Sequence, residues 1–365
     1  MLVRSLQVTG HRNLAPLHLE PTPRFNVISG DNGQGKTNLL EAIYLVGTLR
    51  SFRTSQASEL IAWGQSESRV AAQVTRGGLE RHYEIAFRNG RRSLRLDDKS
   101  PGRLRDYFGD FNVVLFAPED LSVPRGSPSA RRRFLDRAVF NYGAGFLEDA
   151  QRYARVLKSR NAVLRDPAPR VELLDVYDEQ LATVGEKLLR ARREYLAALA
   201  PGFAQAFEAI TRTGLAAELA YEGVPEGTLA AATAASRARD VARRATSVGP
   251  HVDDLVFLLD GRAARAFASQ GQLRALILAW KTAEMRLLAQ IHGDAPVLLL
   301  DDVSSELDPA RNRFLFDFLH EIECQCFVTT THAGHVLVSE NRQDYQMVAG
   351  ALTPVKELSP GGSAW

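Results

Sequence analysis

The apolar and polar positions of this chain change period several times, and those changes divide it. Residues 2–8 read as a strand, and the turn Gly10-His11-Arg12-Asn13 follows. Residues 25–28, Phe-Asn-Val-Ile, predict a buried strand that stops at Gly30. Leu39, Leu40, Ile43 and Tyr44 then fall at helical spacing. After the basic connection Arg50-Ser51-Phe52-Arg53-Thr54 the period becomes two. Residues 69–74, 83–87 and 93–96 predict antiparallel strands, with Asn89-Gly90 as the hairpin turn between the last two. Residues 111–116, FNVVLF, return to a buried strand.

From about residue 122 the spacing turns helical. Ser127-Pro128 predicts an N-cap with proline at the first helical position. Phe146, Ala150, Tyr153, Leu157 and Leu164 follow a three-four spacing, which Asp166-Pro167-Ala168-Pro169 interrupts. Leu181, Val184, Leu188, Ala191, Tyr195 and Ala198 resume it. The pair predicts an antiparallel helical hairpin ending at Pro201-Gly202, and an Ala/Arg-rich helix is expected over 229–245. Past Gly249-Pro250 an α/β pattern returns: a helix over 272–291, an apolar strand over 297–300, a helix capped by Asp308-Pro309, and a strand over 324–330. The predicted architecture is an α/β head, 1–121 with 247–365, interrupted by an inserted α-helical lobe, 122–246. An antiparallel β patch joins the head's otherwise parallel core. Residues 359–365 predict a frayed tail.

Between the first buried strand and its helix lies Gly30-Asp31-Asn32-Gly33-Gln34-Gly35-Lys36-Thr37-Asn38, which matches G-x-x-x-x-G-K-[ST]. The glycines let backbone N–H groups turn inward around a phosphate, and the helix N-terminus adds partial positive charge. Lys36 is suited to the β/γ-phosphates and the Thr37 hydroxyl to Mg²⁺. A glycine-rich strand-to-helix turn with an incidental lysine is the bland alternative, and the strand–loop–helix setting disfavours it. The apolar strand 297–300 ends in Asp301-Asp302, the Walker B arrangement that partners such a loop. Asp301 is suited to Mg²⁺, and Asp302 sits where a general base could orient or deprotonate water.

Ser269-Gln270-Gly271-Gln272 precedes a helix and offers a second phosphate-binding turn, most useful if it closes over the nucleotide of another copy; its alternative is an ordinary helix cap. His332, after Thr329-Thr330-Thr331, could meet a γ-phosphate; a lone histidine is more often structural, and only its place after that strand favours the contact.

Composition narrows the classes. Across 365 residues, Lys+Arg (45) nearly balances Asp+Glu (43), so any nucleic-acid contact must come from local patches. Candidates are Arg131-Arg132-Arg133, the helical set Arg152, Arg155 and Lys158, and Arg91-Arg92 beside the hairpin. Such clusters are more often solvated or internally paired than phosphate contacts. Cys324 and Cys326 alternate onto one face of a strand and predict core packing rather than a metal site. No signal peptide or bilayer-length apolar run is visible, and the expectation is a cytoplasmic protein with no membrane partner.

In order, the phosphate loop, Ser-Gln-Gly-Gln, LLLDDVSSELD and TTTH resemble the ABC-type ATPase heads of SMC and Rad50 proteins. GDNGQGKTNLLEAIY, FAPEDL, SARRRFLD, LKSRN, GPHVDDL, FASQGQLRALILAWKTAE and LLLDDVSSELDPAR are closer to the RecF family and run to about His332. The resemblance implies an ABC-type head in which a short helical lobe replaces a long coiled coil. It further implies ATP and Mg²⁺ as ligands, an ATP-dependent homodimer, and weak DNA-stimulated ATP hydrolysis. Binding of duplex DNA or a single-strand/duplex junction, and action with RecR and RecO to help RecA load at gapped DNA in repair, replication and the SOS response, are implied as well. His11 stands where the family commonly has an aromatic, and Asp302 where many such heads carry glutamate, consistent with slow hydrolysis. Glu119 is the candidate for a nucleotide-sensing loop. Two other classes share the head motifs: a transporter ATPase subunit, and a nucleotide-switched scaffold without DNA contact.

Overall fold

The computed structural model describes residues 1–143 and 145–355, so the predicted tail 359–365 lies outside them. Its contacts form two compact units, Met1–Pro118 together with the chain from His292 onward, and Glu119–Ile291.

The first unit opens with β1 (Leu2–Thr9), β2 (Leu17–Leu19), β3 (Phe25–Ser29), α1 (Lys36–Thr48), β4 (Glu67–Arg76), β5 (Leu79–Arg88), β6 (Arg91–Leu96) and β7 (Val113–Phe116). The second holds α2 (Pro128–Tyr142), α3 (Phe146–Leu164), α4 (Val171–Thr211), β8 (Ala217–Glu222), α5 (Leu229–Arg243), β9 (Asp254–Leu259), β10 (Arg262–Ala263), α6 (Ala264–Phe267) and nearly all of α7 (Gln270–His292). The first unit resumes with β11 (Val297–Asp301), α8 (Val303–Glu306), α9 (Pro309–Ile322), β12 (Cys326–Thr330), β13 (Arg342–Val348) and β14 (Ala351–Pro354).

Two sheets build the first unit. One is antiparallel, in the order β2-β1-β4-β5-β6; the other runs β14-β13-β3-β12-β11-β7. In the second, β3 lies between parallel partners β12 and β13, and parallel pairing continues through β11 to β7, while β14 joins antiparallel. Flanked on both edges and covered on its faces, β3 is buried at every position, Asn26 and Ser29 included. Leu39, Leu40 and Ile43 of α1 share a core with Ile28, Val113, Leu299 and Phe327 and with Leu6, Val70 and Ile85 of the antiparallel sheet. Asn89 and Gly90 both have positive φ, the conformation a tight hairpin requires. Cys324 and Cys326 are buried and unbridged. The β13–β14 hairpin, absent from the predicted elements, completes this sheet.

In the second unit α3 and α4 form the predicted hairpin, but α4 does not end at Pro201. It continues to Thr211. A proline removes one N–H bond and clashes one turn back, at a cost of roughly 3 kcal/mol. Beyond it, Phe203, Ala206 and Phe207 are all buried, and burial on the scale of roughly 1.5–3 kcal/mol per large apolar side chain outweighs that cost. The second difference is the unit boundary. β9 pairs with β8, and Trp280 of α7 packs against the rings of Phe134, Tyr195 and Phe257 at 4.9, 5.8 and 5.8 Å. Residues 247–291 therefore pack within the helical unit rather than the head to which their α/β pattern points. Among the described residues no helix is long and apolar enough to cross a membrane.

Candidate functional site

The first unit gathers the strand ends of one sheet edge. β3 runs into the loop at Gly30, whose φ is +150°; a Cβ there would sit 2.4 Å from the Met347 carbonyl oxygen of β13, so only glycine fits. Gly35 caps α1 in the left-handed region without any side-chain cap, leaving the first-turn N–H groups of that helix open toward the loop. Lys36 is nearly buried and donates to the carbonyls of Gly30 (2.5 Å) and Asp31 (2.9 Å), which holds its ammonium inside the loop. Burial lowers the Lys36 pKa, and the nearby carboxylates of Asp302, Asp301 and Asp31 partly offset this.

The register β3–β12–β11 then brings in the carboxylates. Asp301 is aligned with Thr329, and Thr329 with Ile28. Thr37 Oγ1 donates to Asp301 Oδ1 at 2.8 Å, and Thr329 Oγ1 donates to the same oxygen at 2.7 Å. Asp302 leaves the strand in the left-handed region (φ 51°), with its N–H donating to Thr329 O at 3.1 Å. Its Oδ1 is buried and makes no hydrogen bond. A strained backbone and an unsatisfied carboxylate oxygen on one residue are costly and need a functional reason. Asn32, Gly33, Gly35, Lys36, Thr37, Asn38, Arg53, Asp301 and Asp302 line one cleft of about 300 Å³. A side chain at Gly33 would meet nothing within 4 Å.

Three supports of this cleft were not among the residues predicted from sequence. Asn13 donates to Gly33 O (3.0 Å) and accepts from Asn38 Nδ2 (2.6 Å), and Asn38 accepts from Arg53 (2.6 Å). The turn after β13 clamps the other side: Gly350 N donates to Gln34 O (2.9 Å) and Ala349 N to Gln34 Oε1 (2.5 Å). A side chain at Gly350 would strike Asn13 O at 2.0 Å. Behind the loop, Arg12 makes a two-bonded pair with the fully buried Glu41 of α1, both bonds 2.8 Å. Ser51 also donates to Glu41. His11, in the first turn, is fully buried. Its Nδ1 faces Ser68 Oγ at 3.1 Å, and its Nε2 lies 3.7 Å from Glu41, an ion-pair distance rather than a hydrogen bond. Burial alone would push the Glu41 carboxyl up. The contacts from His11, Arg12 and Ser51, with the Arg12 charge, outweigh it and hold the group at about 2. The turn signal Gly10-His11-Arg12-Asn13 was visible in the sequence; its buried carboxylate partner was not.

His332 is not among the cleft's lining. Its N–H returns to Thr330 Oγ1 at 3.2 Å, and its ring meets His335 edge-on at 5.5 Å. In the other unit, Ser269 and Gln272 form a reciprocal capping box: Ser269 N donates to Gln272 Oε1 (2.8 Å), and Gln272 N donates to Ser269 Oγ (3.2 Å). The turn is thus a helix cap, and Ser269 and Gln270 are exposed at the start of α7. The Ser269 hydroxyl hydrogen stays available to an acceptor. Glu119 is exposed as well.

The basic candidates separate. Arg131 is buried and paired through two bonds with Asp254 (2.8 and 2.6 Å), so it is no surface contact; charge neutralisation inside the lobe explains its presence. Arg132 donates to Asp253 O at 2.7 Å. Arg133, Arg152, Arg155 and Lys158 are exposed.

The family model described as the RecF/RecN/SMC N terminal domain matches residues 2–352. Relatives named DNA replication and repair protein RecF include one from Myxococcus xanthus, 44% identical over 350 residues covering 92% of each chain. Another, from Geobacter sulfurreducens, is 41% identical over 369 residues, covering 97% of this chain and all of its own. Among solved structures, the recombination mediator protein RecF with ATP, described as of the RecFOR pathway, superposes with a TM-score of 0.88 at 30% identity, 97% of each chain being covered. An Smc head bound to the C-winged helix domain of ScpA shares the fold, with a TM-score of 0.57 at 17% identity over 97% of this chain and 96% of its own.

Proposed function

This chain belongs to the RecF/RecN/SMC N-terminal domain family and has an ABC-type ATPase head, and from that premise we propose that it is an ATP-dependent, DNA-binding recombination mediator. The observation that carries the reading is the meeting of Thr37 and Asp301 at 2.8 Å, 264 positions apart in sequence, beside a buried lysine and an unsatisfied aspartate. A phosphate loop and a strand-end carboxylate meeting on one cleft are the two parts that phosphoryl-transfer sites require.

In this reading ATP lies along the loop from Asn32 to Asn38, its phosphates on the N–H groups at the start of α1. Lys36 gives up its two carbonyl acceptors for the β/γ-phosphates. Thr37 and Asp301, already sharing a hydrogen, fit Mg²⁺, which when bound supplies charge neutralisation to the phosphates. Asp302 orients the attacking water and takes its proton through the oxygen that now lacks a partner. Arg53, tied to the loop through Asn38, adds a cation at the cleft mouth. Ser269, Gln270, Gly271 and Gln272 of a second copy close over the γ-phosphate, so that ATP holds a homodimer and slow hydrolysis releases it. His332 is assigned to that closed state, as a contact the single chain does not make. DNA at a duplex or a single-strand/duplex junction is the second ligand, and RecR and RecO are the partners through which RecA is helped onto gapped DNA. The related proteins' names and the RecFOR description support this assignment.

The test is Lys36→Met. Binding of a fluorescent ATP analogue is expected to fall by at least about a hundredfold, since the variant lacks the buried ammonium that meets the β/γ-phosphates. An unchanged dissociation constant refutes the nucleotide assignment.

A further inference from the structure

The basic candidates of the lobe are partly consumed internally, whereas a second group of arginines in the first unit is not. β6 forms the edge of the antiparallel sheet and reads Arg91-Arg92-Ser93-Leu94-Arg95-Leu96. Leu94 and Leu96 point inward and pack on the core. Arg91 and Arg95 take the alternate face, four residues apart and so roughly 13 Å along the strand. Arg88 is registered directly opposite Arg91 across the hairpin. All three are exposed and, among the described residues, have no carboxylate within ion-pair distance. The acidic neighbours across the sheet are Glu67, registered opposite Arg88, and Glu84, opposite Arg95; Glu84 is already paired with Arg69.

The other face of β6 adds a more telling contact. Arg92 reaches the C-terminal end of α1 and donates to Leu49 O at 3.0 Å. There it faces Arg50, which is exposed and also lacks a carboxylate among the described residues. Burial and the charge of Arg50 both lower the Arg92 pKa. Arg92 thus reaches the residue next to Arg50 and feels its charge; like charges repel, and a bound anion relieves that repulsion. The far end of the same hairpin shows what balance looks like: Arg81 pairs with Asp97 at 2.5 Å and His82 with Asp98 at 3.4 Å. The unbalanced charge is confined to the Arg88–Arg95 end. Its arginines are strung along an edge rather than gathered in a pocket, which suits a linear polyanion better than a single phosphate.

We propose that Arg50 and Arg92, continued by Arg88, Arg91 and Arg95 along strand β6, form a surface that binds the phosphate backbone of duplex DNA. This rests on the reading of the chain as a DNA-binding protein and assigns that binding a place. The contact is sequence-independent, since arginines on a sheet edge reach phosphates without entering a groove.

The test measures duplex affinity of the full chain with Mg·ATP against salt concentration by fluorescence anisotropy. Arg88→Ala/Arg91→Ala/Arg95→Ala is compared with the wild type and with the corresponding triple lysine variant. Removing one arginine–phosphate interaction lowers the slope of log K against log salt by roughly 0.9, so the alanine variant is expected to drop by about two to three in slope and at least about tenfold in affinity at 0.1 M salt. The lysine variant keeps the charge and most of the slope. Arg50→Ala/Arg92→Ala is expected to act in the same direction. ATP-analogue binding, unchanged in all of them, reports an intact fold. If the wild type binds duplex and the alanine triple variant matches it in affinity and slope, the surface is overturned while DNA binding stands. If the wild type binds no duplex at any salt, the functional reading itself fails, and this inference with it.

Discussion

Glu41 offers the sharpest test of how the phosphate loop is held. It sits fully buried in α1, bridged to Arg12 by two bonds and contacted by Ser51 and His11. Its carboxyl is held at about 2, against 4.5 for an ordinary glutamate. At roughly 1.4 kcal/mol per pH unit, that difference corresponds to about 3 kcal/mol of folding stability. The folded value lies below the unfolded one, so the contribution is complete above about pH 4.5 and is lost as the pH falls through about 2. Glu41→Gln keeps the shape but cannot ionise, and it leaves Arg12 without its counter-charge. The expected gap in unfolding free energy between wild type and variant is about 3 kcal/mol at pH 7. It should shrink to under about half of that by pH 3, where the unfolded wild-type chain has taken up the proton that the folded carboxyl still resists. Urea titrations followed by circular dichroism across pH 7 to 3 read the gap directly. A gap of the same size at both ends of that range refutes the view that ionisation of Glu41 is what Arg12, Ser51 and His11 stabilise. Because Asn13, next to Arg12, holds Gly33 O, the variant is also expected to bind ATP more weakly at pH 7.

Two further outcomes bear on the proposed mechanism. Asp302→Asn removes the unsatisfied carboxylate while sparing Thr37 and Asp301, so ATP binding should be retained and single-turnover hydrolysis slowed by roughly a hundredfold or more; hydrolysis at the wild-type rate takes Asp302 out of the chemistry. Ser269→Arg puts bulk and charge on the exposed turn and removes a cap worth about 1 kcal/mol. It should bind ATP normally, fail to dimerise in sedimentation, and recover part of the hydrolysis when mixed with Lys36→Met chains. ATP-dependent dimerisation of Ser269→Arg alone would leave the turn as the helix cap it forms within one chain.

What could be read from the sequence was local. Gly30 to Thr37, Asp301-Asp302, Asn89-Gly90 and Asp308-Pro309 each carry their chemistry in adjacent residues, and each is found at the element boundary expected. What escaped depends on pairing across long separations. Gly350 clamps the loop because β13 pairs with β3, more than three hundred positions away, and no feature of Ala349-Gly350 announces that neighbour. The unit boundary moved for the same reason: β9 has an ordinary strand pattern, and only its pairing with β8 places it with the helices. Pro201 is the converse case, a strong local stop signal overridden by the burial of Phe203 and Phe207.

The arginines carry this furthest, because there the same local pattern has opposite outcomes. Arg131-Arg132-Arg133 and Arg91-Arg92 are indistinguishable as sequence: short basic runs beside a turn. Arg131 meets Asp254, 123 positions later, and is withdrawn from the surface. Arg92 meets a backbone carbonyl beside Arg50 and, among the described residues, has no carboxylate partner. A basic run becomes a binding surface only where the fold fails to supply its counter-charge. In a chain whose formal charge is only +2, such places stand out against an otherwise balanced surface. The edge of the antiparallel sheet is such a place, and α1 connects it to the phosphate loop: thirteen residues, or about 20 Å of helix, separate Lys36 from the carbonyl end that Arg92 holds. A polyanion drawn to that edge would engage the arginine at one end of the helix whose other end receives the nucleotide.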